Sequence, residues 1–525
     1  MAYEGVPATI PFGDFGLLTD VAPSDVPFNA LIDCKNISME KGMIEKAPGT
    51  LRYNATPLSS GIVAAIDWWP SNFQQRKIAV TSDGSVYRDI GDRLFSGGTA
   101  ITTGLGNLDP NTFLVTGGQE TAGRARKLFL FTSGKNQLKV LSGDGTSFAD
   151  VSTPATDWGV TTYPTVGVVH RNRLWAFQGQ LSYASATGNH EEFQTGFLVQ
   201  TIFPGEGGDM QGAFVFKGRL FAFKEGGFVY YLEDSATDSA QWFWKKLSSN
   251  FGLSGPHAVI DALDFMVAGN ISGSVTNYSA TDAFGDIETA DIFRSAIMEN
   301  WVRENTSKSG LEYQHAVYYA SKKQAFFTYR STYRTENDML MVLDANKDNL
   351  RVYPWIKGTP ECLALYRDQF GIEKPMYGDA AGYLNMMDYE DRLEGGESYS
   401  GEFQTPHLDF RFVDPSLAYV QKNFDFLAVE FVGAGDWNVT VDYYIDGKYY
   451  DTATFEQQLS GNYLDQFLLD TDRLAQSNTQ TVSKPIKGVG RRISFRFRQA
   501  GANQSFQIAS ITVGFRPSGQ QATKL

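Results

Sequence analysis

Histidine, paired carboxylates and clustered arginine are the residue types in this chain that could do chemistry, so their spacing is considered first. Five histidines occur, at His170, His190, His257, His315 and His407. No two stand at metal-ligand spacing, and the HExxH signature of zinc peptidases is absent. His170 and His315 fall near the starts of strand-like runs, where a structural role is expected. Asp344-Ala-Asn346-Lys-Asp348-Asn349 imitates the opening of a calcium loop. However, Asn349 stands where that loop needs glycine, and Trp355 stands where a bidentate glutamate should close the shell. A polar turn between strands is the expectation there. No Gly-rich phosphate loop, nucleophile elbow or CxxC is present. The expectation is therefore a protein that is not an enzyme, with no catalytic residues, no metal site and no cofactor.

One strand concentrates positive charge. In Arg491-Arg492-Ile493-Ser-Phe495-Arg496-Phe497-Arg498 the period of two puts Arg492, Arg496 and Arg498 on one face and Ile493, Phe495 and Phe497 on the other. The arginine face reads either as a solvated outer surface or as a subunit or partner contact that meets acidic groups. A second candidate contact lies in Ile287 to Arg303. There Ile287, Ile292, Phe293, Ala296, Ile297 and Trp301 share one face at helical spacing, and Asp286 is a plausible N-cap. This predicts one short inserted helix, with Phe293 and Trp301 as contact residues.

The elements that must position these groups are mostly short strands. A strand-turn-strand pattern recurs seven times, anchored at Ile78, Leu128, Leu174, Leu220, Phe265, Phe326 and Met376. A period of roughly 40–50 residues with paired strands is the mark of β-propeller blades. Each copy has an apolar run, a Gly, Asn, Asp or Ser turn, and an alternating strand. The apolar runs suit inner strands buried between blades, and the alternating ones suit outer strands with one wet face. The last copy is weak, so six or seven blades are both compatible with the pattern. Ser142-Gly-Asp144-Gly-Thr-Ser-Phe148 imitates the Asp-box turns of glycosidase propellers, with the glycine spacing off by one. Glycoside hydrolysis needs two facing carboxylates, and nothing in the sequence singles out a pair.

The ends lack the repeat. Pro11, Pro23 and Pro27 suggest an extended arm, followed by a hairpin turning at Lys41-Gly42 and stopped by Pro48-Gly49. From Gly396 the strands lengthen, and Asp446-Gly447 is a tight hairpin turn. Three units are expected: 1–60, an arm and hairpin contributing to a platform; 61–395, the propeller; and 396–525, a C-terminal β-sandwich or barrel completing that platform. The fold class is thus all-β.

Bulk properties narrow the function. The 45 basic and 59 acidic residues leave a net charge of −14, and only two units of that excess fall from Gly396 onward. Such a chain has no overall attraction to phosphate backbones, so sequence-specific nucleic-acid binding is not expected. Cys34 and Cys362 are too few for a disulfide framework or a zinc site and are expected to be reduced and buried. The N-terminus has neither a basic n-region nor an apolar core, so no signal peptide is expected. No window approaches 18 uninterrupted apolar residues, so no membrane insertion by a helix is expected.

Two segments carry a family resemblance. Phe12-Gly-Asp14-Phe-Gly-Leu-Leu-Thr-Asp20 with Gly42-Met-Ile-Glu-Lys46-Ala-Pro48-Gly49 resembles the opening of short-tailed phage tail proteins. Gly488-Val-Gly-Arg-Arg492 through Gly501-Ala-Asn503-Gln-Ser-Phe506, ending Gly514-Phe-Arg516-Pro517, resembles their closing strands. The family is the tail nozzle, also called tail hub or stabilisation, proteins of podoviruses. The resemblance implies a structural virion protein, assembled in the host cytoplasm, forming a homohexameric ring below the portal. It also implies a tail adaptor above, tail fibres or spikes as partners, and double-stranded DNA passing non-specifically through the channel. In that family both chain ends build the platform from which propellers project. The alternative from a different class is a glycan-binding or glycan-degrading propeller, such as a receptor-binding part or a capsule depolymerase.

Overall fold

The computed structural model describes residues 6–518 apart from 23–24, 72–73, 92, 94, 118–125, 142–145, 161, 249–251, 263–264, 281–286, 296–297, 346–349, 369, 390–391, 433–435 and 459–478. Seven small antiparallel sheets follow one another along the chain, spanning 62–89, 113–150, 166–201, 210–248, 259–291, 316–355 and 360–389. These sheets are called blades below. The first has three strands, and the next five have four each. The seventh takes its fourth strand from the far end of the chain. Gly49–Arg52 lies antiparallel to Leu384–Tyr389, with Met386 opposite Leu51. The N-terminal stretch expected to lack any blade pattern thus completes the last blade, and Gly49 starts a strand rather than ending one.

The apolar clusters explain why the repeat anchors are so uniformly hydrophobic. In the third blade, Leu174 and Ala176 pack back onto Phe129 and Phe131 of the second. Trp175 and Phe177 pack forward onto Leu220 and Ala222 of the fourth. A period of two therefore serves two interfaces, and no residue of Arg173–Gln178 can be polar and wet. The same division joins blades one and two through Ile78 and Leu128, and four and five through Phe223 and Met266. Ile62 and Ala79 of the first blade meet Met376 and Leu384 of the seventh, which closes a propeller-like ring. All seven anchors lie in the second strand of their blade. The strand before each anchor, not the apolar run itself, is the one nearest the centre. Leu51→Pro should therefore weaken ring closure, because the Gly49–Arg52 strand is paired on both sides. A lost ladder bond of about 1–3 kcal/mol should appear as a lower denaturant midpoint, and an unchanged midpoint would show that the strand contributes nothing.

The chain ends form a second unit. One sheet combines Ile37–Ser38, Ile44–Lys46, Gln507–Ser518, Gln421–Val432 and Thr479–Pro485, with Val6–Pro11 and Val489–Gly490 paired to it. The other runs Asp33–Lys35, Gly401–Gln404, Ile493–Gln499, Asp436–Ile445 and Lys448–Gln458. Ile511, Val513 and Phe515 of the first share an apolar cluster with Val439, Val441, Phe495 and Phe497 of the second. The expected hairpin at Lys41-Gly42 is present, with Ile37 opposite Lys46. Asp446 and Gly447 take φ of 49° and 80°, the left-handed pair that a two-residue type I′ turn requires.

The expected helix is corrected. Ile287–Asp291 is the outer strand of the fifth blade, paired with Val275–Ala280. Helix begins only at Ile292–Ser295 and resumes at Glu299–Asn305. Pairing with a neighbouring strand outweighed a local helical pattern in 287–291. Asp286, Ala296 and Ile297 lie outside the described residues.

Candidate functional site

The two-sheet unit is fixed to the sixth blade through that blade's outer strand, Arg351–Trp355. Arg351 is fully buried, and its guanidinium donates to Asp344 at 2.9 Å, to the Gly13 carbonyl at 2.8 Å and to the Met39 carbonyl at 2.6 Å. Tyr353 adds its hydroxyl to the same carboxylate at 3.1 Å. Trp355 Nε1 donates to the Ile37 carbonyl at 2.5 Å. Asn36, held at φ 52°, donates to the carbonyls of Ile356 and Ser400 and accepts from the Ile356 N–H. Lys357 donates to the Pro48 carbonyl and lies 3.0 Å from Glu394. Buried side chains of one blade thus satisfy backbone groups of the N-terminal arm, which adds specific hydrogen bonds to the apolar core that the blade and the two-sheet unit share. Asp344, which opens the imitation calcium loop, is the anchor of this network, while Asn346, Asp348 and Asn349 lie outside the described residues. Nothing in the sequence marked the junction, because its partners are more than 300 residues apart.

The arginine strand alternates as read. Ile493, Phe495 and Phe497 are fully buried, and the arginines lie on the opposite face. Their acidic partners belong to the same chain. Arg496 lies 2.9 Å from Glu402 and 3.4 Å from Asp33, and Arg498 lies 2.6 Å from Asp442. Arg492 gives its backbone N–H to Asp446 at 3.0 Å. Phe293 is fully buried in the core shared by the sixth blade and the two-sheet unit, and half-buried Trp301 packs against that core. The structure therefore brings Arg496 and Arg498 together on one sheet, leaves Arg492 just before that strand, and puts Phe293 inside the molecule, away from solvent.

A cavity of about 420 Å³ lies where the first strands converge, lined by residues from six of the seven blades. Two histidines that looked isolated meet in its wall. The rings of His257 and His315 stack at 4.1 Å with a 12° tilt, and Phe113 stacks on His257 at 4.4 Å. His257 Nε2 donates to the Thr112 carbonyl at 2.9 Å, and His315 Nε2 donates to the Pro110 carbonyl at 2.7 Å. His315 Nδ1 faces the Leu363 N–H at 3.4 Å, so the His315 ring is neutral with its proton on Nε2. Burial pushes the His257 pKa down to about 4, against a weaker upward pull from its bond to Thr112 and from Asp109. Burial, then the neighbouring ring, pushes His315 well below the usual range. The pair clamps the segment leading into the second blade against the fifth and sixth, across the ring. The available signal was positional: His315 directly precedes the first strand of its blade, and His257 stands two residues before the first strand of its own.

Elsewhere, His170 at the end of Val166–His170 contacts Asp234 at 2.6 Å. Cys34 and Cys362 are buried and unpaired with each other, and burial raises both thiols, Cys362 to about 12. Among the described residues no group of three or more His, Cys, Asp or Glu side chains could hold a metal ion. Ser142 to Gly145, which imitate an Asp-box, lie outside the described residues.

No family model matches the sequence, and no curated protein matches it. Among solved structures, the computationally designed Ika8 protein is similar at 12% identity and a TM-score of 0.35, covering 64% of this chain and 99% of that one. The N-terminal domain of Nup159 is similar at 12% identity and a TM-score of 0.37, covering 71% of this chain and 98% of that one. Likenesses this distant say nothing of what the chain binds.

Proposed function

We propose that the chain is the nozzle, or hub, protein of a short phage tail, built as a seven-bladed propeller carried on a β-sandwich platform. It would act as a structural ring component, with a tail adaptor above it and fibres or spikes attached at its side. The observation that carries the reading is the interleaving of residues 6–46 with 401–518 in two sheets. A free-standing propeller has no need of such a unit, whereas a ring subunit needs a rigid body to pack against its copies while the blades project outward. The resemblance of both end segments to podovirus tail proteins is consistent with it. The cavity inside the blades is too small and too obstructed to pass a duplex, so the DNA channel of this proposal runs between subunits. An acidic surface suits that role, because a lumen that does not attract phosphates lets DNA slide.

Negative-stain microscopy of the purified protein tests the proposal. Six-fold rings with an open centre are expected. A protein that stays monomeric at every concentration, or that releases sugar from capsular polysaccharide, would overturn it.

A further inference from the structure

Three side chains on one face of the first blade are placed to react with one another. Lys77 lies in that blade's middle strand, directly opposite Asp67 on one side and Asp89 on the other. Residues directly opposite in adjacent strands point to the same face. Lys77 and Asp67 form a buried but loose ion pair. Their side chains are 9% and 5% exposed, and Nζ stands 4.0 Å from Asp67 Oδ1, beyond hydrogen-bond length. Tyr53 and Tyr366 close over the amine, with ring centres 4.7 Å and 5.7 Å from Nζ.

The other oxygen of Asp67 is held by converging donors. Oδ2 accepts from Gln75 Nε2 at 2.7 Å and from the Arg367 backbone N–H of the seventh blade at 2.8 Å. Two N–H groups aimed at one oxygen of an acyl carbon are the arrangement that stabilises a tetrahedral oxyanion. Oδ1, the oxygen paired with the amine, accepts from Gln75 at 2.9 Å. Burial works against both charges. It pushes the Lys77 ammonium down and the Asp67 carboxyl up, against the pull of each on the other. A neutral amine beside a polarised carboxyl is then within reach. Holding the two as neighbours supplies the effective concentration that free groups in water lack.

We propose that Lys77 and Asp67 condense to an isopeptide bond, with Asp89 carrying the proton. One ammonium proton passes to the Asp89 carboxylate, and the freed amine attacks Cγ of Asp67. The C–N bond forms, and negative charge gathers on Oδ2 between Gln75 and the Arg367 N–H. The C–Oδ1 bond then breaks. Oδ1 leaves as water, taking one proton from the nitrogen and one back from Asp89. No oxidant, reductant or co-reactant is consumed. The ion pair is exchanged for an amide whose carbonyl oxygen, Oδ2, keeps both donors. The link joins the first two strands of the blade at which the ring closes, and it does not depend on the nozzle reading.

Intact-mass measurement of the purified full chain tests it, with tryptic mapping to place the link. The protein should be lighter than its sequence by one water. Trypsin should leave Lys77 uncut and yield a branched peptide joining residues 53–76 to residues 77–88. Asp67→Ala should restore the full sequence mass. Asp89→Asn should slow bond formation at least about a hundredfold, as loss of a proton-transfer group does, read as the linked fraction at successive times after expression. The wild-type measurement is decisive even if a variant does not fold. A wild-type chain of full sequence mass, cut normally after Lys77, would overturn the proposal and leave a structural ion pair only. An unslowed reaction in Asp89→Asn would overturn it as well.

Discussion

Arg351→Ala is expected to destabilise the protein by about 3–5 kcal/mol, the range for breaking a buried ion pair from one side. The reason is geometric. Asp344 would stay fully buried with its charge, and the carbonyls of Gly13 and Met39 would lose their donor together. Arg351→Lys should recover only part of this, since an ammonium cannot reproduce a planar fork that reaches a carboxylate and two carbonyls. Denaturant unfolding of both variants, with limited proteolysis of the N-terminal arm, measures the effect. A loss below about 1 kcal/mol, the scale of an exposed pair, would show that the network does not hold the two-sheet unit to the blades.

Acidification should be the second large effect. The neutral form of His257 is the one the fold accepts, and its pKa falls from the ordinary 6.5 to about 4. The unfolded chain therefore binds the proton first, so the stability this residue contributes is complete above about pH 6.5 and drains away as pH falls toward 4. At about 1.36 kcal/mol per unit, His257 alone accounts for about 3 kcal/mol, and His315 acts in the same direction. Glu361 works oppositely, because burial raises its carboxyl to about 7 and stability gained from it grows as pH falls through that value. The comparison of wild type with His257→Gln isolates the histidine term. Unfolding midpoints taken at several pH values between 7 and 4.5 should give a flatter profile for the variant, and parallel profiles would refute the clamp.

Much of the fold was legible because its signals are local. The apolar runs around Leu174 or Leu220 must be buried on both faces, and a repeat of them admits few arrangements. The alternation of Phe495 and Phe497 with Arg496 and Arg498 is similarly a property of one strand. Other features were not legible. The stretch Ile287–Asp291 carries a helical pattern but pairs as a strand, because the neighbouring Val275–Ala280 offers a ladder that local periodicity does not register. Gly49–Arg52 is too short to announce itself as a blade strand. Lys77 looks like an ordinary strand lysine until Tyr53 and Tyr366, from two distant segments, close around it.

The sequence by itself determined the strand-rich class, the count of repeat anchors, the unrepeated ends and the two faces of the arginine strand. Each follows from spacings of a few residues or from a recurring period. Only the tertiary structure decided that the blades number seven, that the N-terminus seals the last of them, that two histidines stack across a cavity, and that Arg351 binds the arm to the sixth blade. Those features join residues tens to hundreds of positions apart. Their energies come from desolvation and hydrogen bonding at the point of contact, and one-dimensional order carries no record of which distant groups will share that point.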